Sequence, residues 1–170
     1  MVLEIVKYPH PVLKVQAEPV EKIDDTIHRL IEDMIETIRQ VPGIGLAAPQ
    51  VGQSKQVMIA DISSVEPDND LIVLINPQVA EADGEMVDEE GCLSVLDFMS
   101  EIKRYARVKV CGLNREGERV EIMGEGLLAR VLQHEIDHLN GILILDRVSS
   151  LKRNLYKRRL KKRMKEHLEG

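Results

Sequence analysis

Glu125-Gly126-Leu127-Leu128-Ala129-Arg130-Val131-Leu132-Gln133-His134-Glu135-Ile136-Asp137-His138-Leu139-Asn140-Gly141 carries both a helical signal and a chemical one. Leu127, Leu128, Val131, Leu132 and Ile136 recur at helical spacing and cover most of a helix circumference. That predicts a helix over about 125–139, with Asn140-Gly141 as its C-terminal stop. A helix apolar nearly all round is a central, buried one. Yet this one carries His134-Glu135-Ile136-Asp137-His138. Spacing i, i+4 puts both imidazoles on one face, where two neutral nitrogens can reach one divalent metal. Glu135 stands beside them, able to take a proton from an attacking water. Two incidental histidines on a polar face would mean little. Buried histidines and a buried glutamate are costly unless paired or metal-bound.

A catalytic metal site keeps one position for water, so a third protein ligand is expected. Downstream, only Asp146, Glu166, His167 and Glu169 are available, and the last three lie at the end of a basic tail. Upstream, Cys92 sits in Glu90-Gly91-Cys92-Leu93-Ser94 beside a glycine that permits tight approach. It is a thiolate candidate, though a single cysteine also serves as a small buried hydrophobe.

Outward from this helix, Ile27, Leu30, Ile31, Met34, Ile35 and Ile38 step by three and four. They predict a helix over 25–40 with Asp24 or Asp25 as N-cap and Pro42-Gly43 as its end. Gly43-Ile44-Gly45-Leu46-Ala47-Ala48-Pro49-Gln50 reads as a small-residue loop that lets backbone approach something closely. Segments 56–62 and 71–75 read as strands, the second ended by Asn76-Pro77. Segments 102–113 and 118–123 flank a hairpin signal at Asn114-Arg115-Glu116-Gly117. A last helix over 150–168 carries Leu151, Leu155, Leu160, Met164 and Leu168 along one edge. Helix, strands, helix, helix argues an α+β fold, with a mixed or antiparallel sheet packed around the central metal-binding helix and a C-terminal helix beside it.

The chain suits a single domain over 1–170, with 150–170 as a basic C-terminal helix. Apolar residues at 44% and charged residues at 31% exclude a disordered chain, and no apolar run is long enough for a membrane span. The opening MVLEIVKYPH lacks the pattern of a secretory signal. Two cysteines, Cys92 and Cys111, call for no disulfide framework and suit a reducing cytoplasm. With no Trp, one Phe and three Tyr, base-stacking platforms are not expected. The net charge of −6 hides an asymmetry: residues 150–165 hold nine Lys or Arg and no acid, while residues 1–149 balance at −13. A basic segment on an acidic body suggests a polyanionic partner.

Three segments, GIGLAAPQ (43–50), EGCLS (90–94) and QHEIDHLNG (133–141), occur in that order, and together the chain resembles peptide deformylase over essentially its whole length. The resemblance implies an enzyme that removes the N-formyl group from the initiator methionine of new polypeptides. It implies Cys92, His134 and His138 as metal ligands and Glu135 as the group that takes the water's proton and then protonates the leaving amine. The Gln50 amide and the Leu93 backbone N–H would donate to the tetrahedral oxyanion, each such donor being worth roughly 3–4 kcal/mol. Gly45 would pair with the extended substrate as an added strand. Ile44, Leu127 and Val131 would line the methionine pocket, and Gly43 would supply loop flexibility. A thiolate with two imidazoles suits zinc or iron(II). The resemblance favours Fe2+, with Zn2+, Ni2+ or Co2+ able to substitute. The basic tail resembles a helix that docks on ribosomal RNA near the exit tunnel.

The chain departs from the family pattern at three positions. Leu96 stands where many relatives have Pro, Met99 near where many have an Arg that helps hold the peptide, and Arg130 at a position often apolar. These bear on substrate contacts rather than on the reaction. Two other readings share some of the signal. A metallopeptidase would use the same HExxH but needs a third ligand the downstream sequence offers poorly. A metal-stabilised ribosome-binding module would have no need of Glu135.

Overall fold

The computed structural model describes residues 1–169; Gly170, at the end of the expected domain, lies outside the described residues. Helix α1 spans Asp25–Arg39 and helix α2 Leu127–Leu139, while α3 spans Ser150–Glu169. The strands are β1 Gly45–Ala47, β2 Val57–Ala60, β3 Ile72–Asp83, β4 Met86–Cys92, β5 Val95–Arg104, β6 Arg107–Leu113 and β7 Arg119–Glu125. Five of them form an antiparallel sheet in the order β1-β2-β3-β6-β7, and β4 and β5 form a separate antiparallel pair.

The sheet lies between α1 and α2, and the period of two along its strands shows why. Every residue of β2 is buried. Val57 and Ile59 pack with Ile27, Ile31, Met34 and Ile38 of α1, whereas Met58 and Ala60 pack with Ala129, Val131, Leu132 and Ile136 of α2. A strand covered on both faces has to be apolar throughout rather than alternating. Asp24 caps α1, its carboxylate accepting from the Ile27 N–H at 3.2 Å. Gly126, at φ 62, turns the chain into α2, so the helix starts two residues later than its apolar pattern suggests. Gly141, at φ 73, ends the turn after it. An added Cβ there would lie 2.7 Å from the Lys14 carbonyl oxygen.

Several expected boundaries move. The 43–50 loop contains β1 and one 3-10 turn, Ala48–Val51. The strand expected over 71–75 continues through Asn76-Pro77 to Asp83. Asn76 adopts φ 52 and a register shift falls between Ile75 and Gln78, so the proline sits in an irregularity of the ladder instead of ending it. Segment 102–113 is two strands, broken at Tyr105-Ala106. β4 is a strand that Asp88-Glu89-Glu90 disguised, because acidic runs are poor strand formers.

The leucine edge of α3 also differs. Leu151, Leu155, Met164 and Leu168 are exposed and Leu160 is half-buried. The helix is held instead by Tyr156, which is buried against Phe98 with ring centroids 5.2 Å apart and donates its hydroxyl to the Leu96 carbonyl at 2.9 Å. Arg159 and Arg163 bind the Asp97 carbonyl and carboxylate at 3.2 and 2.5 Å.

Asn76 ties β3 to the N-terminal segment, accepting from the Val20 N–H at 2.8 Å and donating to the Val20 carbonyl at 2.9 Å. Asn76→Ala should therefore cost about 2–4 kcal/mol, from two lost hydrogen bonds and a left-handed backbone that alanine resists. Asn76→Gly should cost less, since it removes the bonds alone. Urea midpoints at unchanged slope measure both.

Candidate metal centre

α2 supplies three polar side chains to one end of a cavity, and the turn between β4 and β5 faces them. Cys92 Sγ, His134 Nε2 and His138 Nε2 come together, with Sγ 3.3 Å from His138 Nε2 and the two Nε2 atoms 3.2 Å apart. The residues expected as ligands are thus brought within 4.8 Å of one another across 46 residues of chain. Two imidazole nitrogens this close either share an N–H···N hydrogen bond or face one cation together. The donor set fits a divalent metal: one thiolate and two imidazoles, with room for a fourth position. Three of the alternative downstream groups are elsewhere. Asp146 pairs with Lys14 at 2.5 Å and accepts from the Leu143 N–H, while Glu166 and His167 are exposed on α3.

The electrostatics follow from burial. Burial alone would lower the His134 pKa, but hydrogen bonds to Cys92 and Glu90 outweigh it and hold it well above its ordinary value. Burial, reinforced by the charge of His134, holds His138 well below its ordinary value, in the neutral form that binds metals. Glu135 is pushed up to about 7 by burial, and its Oε2 has no partner. A dication at the three donors would favour its charged form. Its Oε1 lies 3.9 Å from His134 Nε2. Gly45 packs flat against it: a Cβ there would lie 3.0 Å from the Glu135 carboxyl carbon and 2.9 Å from Val131.

Behind the histidines lies a charge network that the sequence reading did not assign. Glu90 accepts from His134 Nδ1 at 3.0 Å, and both its oxygens accept from Arg104, at 2.9 and 3.0 Å. Burial would raise the Glu90 carboxyl, yet the bonds from His134 and Arg104 pull it down to about 2. Arg104 also donates to Asp137 at 2.6 Å, and Arg147 donates to both Asp137 oxygens at 2.5 and 2.7 Å. A carboxylate on the far nitrogen of a ligating imidazole fixes its tautomer and ring angle. Glu90 opens the EGCLS segment, whereas Arg104 and Arg147 stand in no motif.

The cavity beside these groups is about 480 Å³, lined by β1, β4, the 92–94 turn and α2. Every residue expected to touch substrate, Gly43, Ile44, Gly45, Gln50, Leu93, Leu127 and Val131, lies in its wall. Met99 and Arg130 line it as well. Gln50 is buried, its Oε1 accepting from the Ala47 N–H at 3.0 Å. That fixes the amide so that its Nε2 points to Ser94 Oγ at 3.2 Å and Cys92 Sγ at 3.7 Å.

The model of the polypeptide deformylase family matches residues 2–154. A peptide deformylase of Thermodesulfovibrio yellowstonii is 51% identical over 160 residues, covering 94% of this chain and 97% of that protein. The chain belongs to the polypeptide deformylase family. The crystal structure of a peptide deformylase from Legionella pneumophila superposes with a TM-score of 0.90 at 40% identity, covering 100% of this chain and 99% of that one. A peptide deformylase from Ehrlichia chaffeensis, solved in complex with actinonin, gives 0.89 at 38% identity, over 95% and 97% of the two chains. The expected α+β fold, with its antiparallel sheets and C-terminal helix, is that of these structures. This deformylase is a hydrolase that removes N-formyl groups, and its family depends on a metal.

Glu90→Gln in this deformylase keeps the shape but not the charge behind His134. It should weaken metal binding roughly 10–100-fold, as loss of such an outer partner does. Competition with a chelator of known affinity measures the change.

Proposed function

We propose that Cys92, His134 and His138 hold one divalent metal, physiologically Fe2+ with Zn2+, Ni2+ or Co2+ able to replace it, and that the neighbouring cavity binds N-formyl-methionyl peptides. The enzyme is a metal-dependent hydrolase that removes the formyl group from the initiator methionine of new polypeptides and releases formate. The juxtaposition of Glu135 with the three donors carries the reading. When bound, the metal polarises the formyl carbonyl and makes water a nucleophile at neutral pH.

The chain's own groups do the rest. Glu135 takes a proton from the attacking water and returns it to the departing amine, its unpartnered Oε2 being free for that exchange. The Gln50 Nε2 and the Leu93 N–H donate to the oxyanion. The Gln50 amide is held beforehand by Ala47, so its dipole needs no reorientation. β1 is an edge strand of the five-stranded sheet, so Gly45 can pair with an extended peptide. Gly43 leaves the 43–45 segment free to adjust. Ile44, Leu127 and Val131 receive the methionine side chain.

The whole chain, 1–170, acts as one deformylase domain, in a cytoplasm where new polypeptides are made. No helix among the described residues is long and apolar enough to cross a membrane. The basic helix docks on ribosomal RNA near the exit tunnel. Its cations divide into two sets. Lys152, Arg153, Arg159 and Arg163 bond to the body of the protein. Lys157, Arg158, Lys161, Lys162 and Lys165 are exposed. At 100° per residue these five fall within about 140° of the circumference, one outward stripe.

His134→Ala should lose metal and activity together. Glu135→Gln should keep the metal and lose formate release by about 10²–10⁴-fold. Metal content and formate from formyl-Met-Ala-Ser, with acetyl-Met-Ala-Ser as control, test both. An active, fully loaded Glu135→Gln would remove Glu135 from the mechanism.

Reversing the five outward cations to Glu should abolish ribosome binding while leaving formate release intact, and the wild-type affinity should fall steeply with salt. Co-sedimentation at several salt concentrations reads this, and salt-independent binding would contradict phosphate docking.

A further inference from the structure

Arg130 lies in the cavity wall on the same face of α2 as Leu127, Val131 and His134. Its side chain is only 11% exposed, and it is the one Lys or Arg among the lining residues. A buried guanidinium requires acceptors for its donors. Arg130 has one close partner, Asp88, at 3.1 Å from Nη2, and that carboxylate is 65% exposed. The buried carboxylate behind it, Glu90, pairs with it only at long range, beyond hydrogen-bond distance. Glu90 has Oε1 committed to Arg104 and His134 and Oε2 to Arg104, and Arg130 Nε reaches no closer than 3.8 Å. The Arg130 Nε is therefore buried without a hydrogen-bond partner. A side-chain pocket walled by Ile44, Leu127 and Val131 has at its margin a donor-rich cation whose terminal nitrogens have one close polar partner, the exposed Asp88.

We propose that Arg130 determines side-chain specificity in this deformylase, selecting first residues that carry a hydrogen-bond acceptor near the δ position, including the sulfoxide of oxidised formyl-methionine. The proposal rests on the reading that Ile44, Leu127 and Val131 form the pocket for the first side chain. The reaction is unchanged: water adds to the formyl carbon, the C–N bond breaks, and formate and a free amine leave. What Arg130 adds is a charge-assisted hydrogen bond to the sulfoxide oxygen, with a weaker contact to the methionine sulfur and none to norleucine, which replaces sulfur by a methylene. Along α2, Arg130 is one turn, about 6 Å, from His134. That separation suits a side chain whose backbone carries the reacting formyl group.

The test compares kcat/KM for formyl-Met-Ala-Ser, formyl-norleucyl-Ala-Ser and formyl-methionine-sulfoxide-Ala-Ser in the metal-loaded enzyme, Arg130→Leu and Asp88→Asn. In the wild type, the sulfoxide should be turned over at least as well as norleucine. Arg130→Leu should lower the sulfoxide-to-norleucine ratio about tenfold at unchanged metal content. Asp88→Asn, which frees the guanidinium, should raise that ratio. A ratio unmoved by Arg130→Leu, or a wild type that rejects the sulfoxide relative to norleucine, overturns the proposal. Wild-type enzyme that releases no formate from any of the three peptides instead contradicts the functional reading itself.

Discussion

Glu90 meets Arg104 and His134 where water has little access, and the arrangement of the site depends on that meeting. The Arg104 and Glu90 side chains are 2% and 5% exposed, so each would be an uncompensated buried charge without the other. Breaking such a pair typically costs about 3–5 kcal/mol. The pair therefore holds β4 against β5. Asp137, on α2, accepts from the same guanidinium and from Arg147, which locks the helix and the Ile144–Arg147 turn to the two strands. His134 is fixed by the carboxylate this network already holds. The imidazole is thereby oriented before any metal arrives.

The other half of the site is set by what is missing. β1 passes Glu135 so closely that only a hydrogen fits at Gly45. Such contact is feasible because β1 is pinned to β2 from Gly45↔Ala60 to Ala47↔Met58, and β2 is covered by helices on both faces. The cavity thus lies between two strands that belong to different sheets, β1 and β4, with α2 beneath. An unpaired strand edge is a liability on a protein surface, but here it faces the cavity, where an extended peptide can complete it.

Much of this was legible before folding because the signals are local. The apolar steps of α1, the all-round apolarity of α2 and its HExxH each sit within one element. β4 was not legible: of its acidic run only Glu90 is buried, and its partners Arg104 and His134 are 14 and 44 residues away. The passage of β3 through Asn76-Pro77 is bonded to Val20, 56 residues away. The leucines of α3 suggested an inward edge, yet only Leu160 packs against the core, and Tyr156 with Lys152, Arg153, Arg159 and Arg163 makes the other contacts. A buried aromatic with a partnered hydroxyl holds a helix that an edge of exposed leucines does not. Cys92, one of two cysteines, was a ligand candidate from the sequence beside Gly91, and the fold brings its sulfur to the two imidazoles.

One metal held by this thiolate and these two imidazoles together would have a distinctive set of neighbouring atoms. X-ray absorption at the metal edge, on anaerobically prepared protein loaded with a single equivalent of metal, tests it most directly. The metal should have one sulfur and two imidazole nitrogens bound to it, with loss of the sulfur alone in Cys92→Ser. A shell of oxygen and nitrogen only in the native protein, or one unaltered by Cys92→Ser, would contradict it.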